Sequence, residues 1–150
     1  MVPTELRFIH FNDVYHVPSA ELFSRFIQLK ESFVGDGALT LFSGDAFSPS
    51  LEASILKGEH MGPLLNFAGV DVACYGNHGL RTDLSDFDFG DARLIELSNQ
   101  VDFPWVLSNA WHVPQNGQWL EEGELLGRAK SYVVRELHGF RIGFFGLAGT

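Results

Sequence analysis

Ala38-Leu39-Thr40-Leu41-Phe42-Ser43-Gly44-Asp45 is a short apolar run that ends on small and acidic residues, and Ser48-Pro49 then offers a helix N-cap and first helical position. A strand that delivers a carboxylate and hands over to a helix is the repeating unit of an α/β sheet. The pattern recurs on both sides. Upstream, Leu6 to Phe11 alternates and closes on Asn12-Asp13; downstream, Val70 to Tyr75 closes on Gly76-Asn77-His78. Asp13, Asp45 and Asn77 are spaced 32 residues apart, a comfortable length for a strand-helix crossover, and side chains at successive strand ends converge in space.

Between these strands the spacing predicts helices. Ser19 is a plausible N-cap for a helix through about Phe33, with Leu22, Phe23, Phe26, Ile27 and Phe33 at helical spacing, before Gly35-Asp36-Gly37 turns the chain. A helix from about Pro49 to Ala68 is expected to break near Gly58 and at Gly62-Pro63. A further helix from about Asp88 to Asn99 leads to a fourth strand, Phe103 to Leu107, ending at Ser108-Asn109. Residues 112–129, with Pro114 and Asn116-Gly117, read as an exposed loop or irregular hairpin. Ser131 to Glu136 and Phe140 to Leu147 flank His138-Gly139 and predict a β-hairpin. The expectation is one α/β domain with a mixed sheet.

The bulk properties narrow the function. With 150 residues and 45% hydrophobic content the chain supports one core. Its apolar runs are too short and too often broken by Gly, Asp or Ser to span a bilayer. Met1 to His10 carries Glu5 and Arg7 and shows no secretory signal. A single cysteine, Cys74, and the absence of any Asn-x-Ser/Thr favour a reducing compartment, so a cytoplasmic location is expected. A net charge of −9 without a Lys/Arg cluster argues against nucleic-acid polymers as partners. Neither Gly-x-Gly-x-x-Gly nor Gly-x4-Gly-Lys-Ser/Thr occurs at a strand-helix turn, which argues against a doubly wound nucleotide-binding module.

Hard oxygen donors and imidazole at one edge suit divalent Mn, Mg, Zn or Fe, and a carboxylate between two cations can bridge them. Two such ions would hold a phosphate ester and acidify a water for in-line hydrolysis. Taken singly, an Asp or Asn after a strand is most often a turn or helix cap; three in series carry more weight. In order and spacing, Phe11-Asn12-Asp13-Val14-Tyr15-His16, Ser43-Gly44-Asp45 and Tyr75-Gly76-Asn77-His78 resemble the first three motifs of the calcineurin-like metallophosphoesterases. Phe103 to Asn109 resembles the next strand of their 5′-nucleotidase-like branch.

The resemblance implies an αββα sandwich, mixed β-sheets flanked by helices, of which residues 1–150 form the N-terminal portion, incomplete at the C-terminus. It implies two divalent metal ions and a small phosphate-ester substrate, a nucleoside 5′-monophosphate among the candidates. By position, Asp13 resembles the ligand of one metal, Asp45 the bridging carboxylate, Asn77 a ligand of the other metal, and His78 the imidazole beside the phosphate. Asp88 matches the aspartate that orients this histidine.

The pattern departs in three places. The family's first histidine falls at Tyr15, with His16 one residue later, so His16 substitutes only if the chain turns there. Residues 79–85 intervene after Gly-Asn-His like an insertion and could displace Asp88. The family's remaining histidine ligands would follow the Phe140 to Leu147 strand, beyond Thr150. A truncated phosphoesterase with an apolar face exposed around Ile142 to Leu147 is expected; the alternative is a non-catalytic scaffold or binding module of the same fold.

Overall fold

The computed structural model describes residues 5–14, 16–34, 37–76, 89–112 and 123–149. The elements run β1 (Phe8–Phe11), α1 (Ala20–Val34), β2 (Leu39–Phe42), α2 (Leu51–Leu56), α3 (Met61–Ala68), β3 (Val72–Cys74), α4 (Asp91–Ser98), β4 (Trp105–Val106), β5 (Tyr132–Leu137) and β6 (Phe140–Phe145). Strands β1 to β4 form a parallel sheet in sequence order, with Phe11 opposite Phe42, Phe42 opposite Ala73 and Ala73 opposite Trp105. Strands β5 and β6 pair antiparallel in a second sheet. Parallel and antiparallel pairs are both present, as the mixed α/β reading expects, but they occupy separate sheets among the described residues.

Alternation along the strands separates the two faces of the parallel sheet. Phe42, Ala73 and Trp105 point into a core with Phe47, Met61, Leu65, Tyr75, Leu94 and Leu97, against which Phe23 and Phe26 of α1 also pack. Leu41, Val72, Cys74 and Val106 point the other way and meet Val133 and Phe144 of the hairpin. Helices therefore cover one face and the hairpin the other. Tyr75 stacks on Trp105 at 4.5 Å between ring centroids with 6° between planes; each buried aromatic of this kind contributes about 1.5–3 kcal/mol through burial.

Local chemistry explains where the helices begin. Ser19 Oγ accepts from the Leu22 amide at 3.2 Å, so the first helix starts where its N-cap predicts. The second does not: Ser50, not Ser48, is the N-cap and accepts from Ala53 N, while Ser48 is buried. The chain breaks at Lys57 and Gly58, both at positive φ, but Gly62-Pro63 lies inside the first turn of α3. Amides there have no intrahelical acceptor, so proline removes nothing.

The hairpin turns through His138 (φ 52°) and Gly139 (φ 83°) between paired Leu137 and Phe140. Positive φ at both central residues is the type I′ geometry that matches strand twist. Tyr132, Val134, Phe145 and Leu147 remain exposed on its outward side, whereas Ile142 and Phe144 are half-buried. The apolar face expected around Ile142 to Leu147 is thus borne by alternate residues. Residues 113–122 lie outside the described set; on either side of them Trp111 bridges Leu125 antiparallel.

Arg93 joins α4 to the end of α2. Its guanidinium donates to the carbonyls of Lys57 and Leu56 at 3.1 and 3.4 Å and pairs with Glu96 at 2.9 Å. Its carboxylate partners, Glu96 and Glu59 at 3.5 Å, are well solvated and add little; the carbonyls at the helix end are the larger contribution. Arg93→Ala is expected to lower unfolding free energy by about 1–2 kcal/mol, measurable by urea denaturation, and Arg93→Lys should recover only part of that loss.

Candidate metal-binding edge

All four strand exits of a parallel sheet face the same way, so the residues that follow β1, β2 and β3 share one edge. Asp13 lies two residues beyond β1 and Asp45 three beyond β2. Both adopt left-handed backbone, with φ of 57° and 59°, a conformation that Asp and Asn tolerate better than most residues. The turns are tied across the sheet: Ser43 N donates to Phe11 O and Asp13 N to Gly44 O, each at 3.1 Å.

Asp45 is buried, whereas Asp13 is exposed and accepts a hydrogen bond from its neighbour Asn12. Gly76 passes so close to Asp45 that a side chain on it would collide with the Asp45 carboxylate and amide. The third strand exit therefore runs directly against the carboxylate carried by the second. Asn77 is the next residue in sequence, but Asn77, His78, residues 79–85, Asp88 and Tyr15 all lie outside the described residues.

Because Asp13 already has positive φ, strict strand alternation no longer governs the residues after it. His16 is exposed, and it lines a cavity of about 360 Å³ together with Asp13, Phe11, Phe23 and Leu64. Two short carboxylates on adjacent turns are the kind of donor a hard divalent cation takes. Among the described residues, no group of three or more His, Cys, Asp or Glu side chains is placed to hold a metal. Asp13 and Asp45 thus fit such an ion in kind.

Two contacts at this end of the fold escaped the sequence reading. His10 Nε2 and Ser43 Oγ are 2.6 Å apart across 33 residues, and His112 Nε2 lies 3.0 Å from Asp91 Oδ2. Alternation along β1 turns His10 to the face opposite Phe11, which hints that it leaves the core but names no partner; the second contact has no signal at all. Asn109, at the end of the fourth strand, exchanges two hydrogen bonds with the Ala148 backbone, at 2.7 and 3.0 Å, and so fastens the segment after β6 to the sheet.

No family model matches the chain. A curated protein of Treponema pallidum (strain Nichols), described as a probable 5′-nucleotidase, is 32% identical over 110 residues, covering 73% of this chain and 16% of that protein. The NAD nucleotidase of Haemophilus influenzae superposes with a TM-score of 0.71 at 19% identity, over 95% of this chain and 29% of the other. A 5′-nucleotidase precursor from Thermus thermophilus gives 0.69 at 20% identity, over 95% and 28%. The chain spans less than a third of each of these proteins. Sequence similarity to the first and a shared fold with the others support one placement for the chain, the 5′-nucleotidase-like metallophosphoesterase family.

Proposed function

We propose that residues 1–150 are the N-terminal portion of a metal-dependent hydrolase of phosphoric esters, with nucleoside 5′-monophosphates as the substrate class. The observation that supports this reading most is the pairing of two left-handed aspartates, Asp13 and Asp45, at one sheet edge, with Gly76 pressed against Asp45. Backbone held in sparsely populated φ is a feature that clusters at functional sites.

In this reading Asp13 would hold one divalent cation, Asp45 would contribute its carboxylate to both cations, and Asn77 would contribute to the second. Bound divalent ions would supply Lewis acidity toward the phosphoryl group and an activated water. His78 would stand beside the phosphate, donating to an oxygen on which charge develops or protonating the leaving oxygen. Asp88 would fix its tautomer through the other ring nitrogen. Tyr15 would take a structural or substrate-facing role, and His16, on the same cavity as Asp13, is the candidate for an added imidazole donor.

Further donors, and cover for the outward face of the hairpin around Phe145 and Leu147, would come from chain beyond these residues. The test is hydrolysis of AMP and of a chromogenic phosphate ester by the protein that contains this chain, with manganese added and then removed by chelation. Turnover that appears with manganese and falls at least about tenfold on chelation supports the reading. A protein that binds manganese and turns over no ester is a scaffold of the same fold instead.

A further inference from the structure

Backbone bonds tie the two aspartate turns to each other across the sheet. Ser43 N to Phe11 O closes the last rung of the ladder, and Asp13 N to Gly44 O crosses beyond it. Gly44 (φ 94°) and Asp45 (φ 59°) then follow in succession with positive φ. Such a turn persists only where its surroundings hold it. The His10–Ser43 bond spans the same gap from the other direction: His10 lies on β1 three residues before Asp13, and Ser43 lies two residues before Asp45. At 2.6 Å it is short for a nitrogen–oxygen pair.

Both side chains are exposed, so neither fills the core and neither is needed to bury apolar surface. The bond joins the penultimate residue of β1 to the first residue after β2. It therefore restricts how far the Asp45 loop can swing relative to the Asp13 loop while leaving the packing beneath untouched. Outer-shell hydrogen bonds of this kind set the orientation of ligands they do not replace.

We propose that His10 and Ser43 are positioning residues: their hydrogen bond sets the separation of the Asp13 and Asp45 turns and thereby the affinity for divalent cations. The proposal rests on the two-cation reading of the site. Its test is manganese titration by calorimetry on the wild type, Ser43→Ala, His10→Leu, the double variant and Ser43→Thr, with thermal unfolding recorded in metal-free buffer.

Each single removal should weaken manganese binding by about tenfold, the double variant should lose no more than either, and Ser43→Thr, which keeps the hydroxyl, should recover the affinity. Metal-free melting temperatures should stay together. Binding within about twofold of wild type in both single variants overturns the proposal. So does a loss that adds in the double variant and tracks a falling melting temperature, since a structural bond behaves that way. A wild type that binds no manganese overturns this proposal together with the functional reading, whereas manganese binding that is indifferent to Ser43 and His10 overturns this proposal alone.

Discussion

Gly44→Ala is expected to destabilise the fold by about 2–5 kcal/mol, from roughly 1–2 for a left-handed alanine and roughly 1–3 for overpacking. At φ 94°, a methyl group on residue 44 would stand 2.8 Å from the Tyr75 carbonyl carbon and overlap the Gly76 backbone. Neither neighbour is a flexible side-chain end that could step aside. Tyr75 is fully buried in the stack with Trp105, and Gly76 is already pressed on Asp45. Against a typical total of about 5–15 kcal/mol, such a loss removes a large share of the stability. Urea unfolding should show a lower midpoint with an unchanged slope. A cost below about 1 kcal/mol would mean that the β2 and β3 exits can part without strain, and the account of the site edge would have to change.

The second large effect is expected from Asp45→Asn. Asparagine has the same shape and tolerates the left-handed φ of 59°, so the turn, the Gly76 contact and the circular dichroism spectrum should survive. What disappears is the negative charge. Partners that merely orient a ligand cost about 10–100-fold when removed, so loss of a carboxylate that serves the metals directly, as proposed for Asp45, should cost more than about 100-fold in manganese-dependent turnover. The comparison to make is turnover beside thermal stability in the same preparation. Undiminished hydrolysis in a folded Asp45→Asn protein would remove Asp45 from the metal site and with it the central support for the proposed function.

Strands β1 to β4 and helix α1 were legible because each is a short apolar run with unambiguous punctuation: Asn12-Asp13, Ser19, Ser43-Gly44-Asp45, Gly69 and Gly76. The details that sequence misassigned concern helix starts. Serines two residues apart, Ser48 and Ser50, are equally good caps by composition, and only packing decides that Ser48 is buried and Ser50 accepts from Ala53 N. Gly62-Pro63 looks like a break yet sits where a first helical turn demands no amide. At the site, the sequence located Asp13 and Asp45 at strand exits but could not anticipate the His10–Ser43 bond. A histidine inside a strand and a serine after one carry no mutual signal across 33 residues. The left-handed backbone of both aspartates is likewise a property of the loops, which local propensity permits without requiring.

The sheet order has a consequence for how the chain acquires its structure. Because β1, β2, β3 and β4 neighbour one another in the order of synthesis, the sheet can lengthen at a single growing edge. Successive paired residues are 31, 31 and 32 positions apart, from Phe11 to Phe42, Phe42 to Ala73 and Ala73 to Trp105. Each addition closes a loop of similar size, and the closure entropy rises only slowly with length, so no step is much harder than the one before. A chain emerging from the ribosome at about 5–20 residues per second could therefore dock each strand-helix unit on its predecessor as it appears. The hairpin follows these four strands in sequence and meets their other face, with Val133 and Phe144 packing on a sheet whose order is already set.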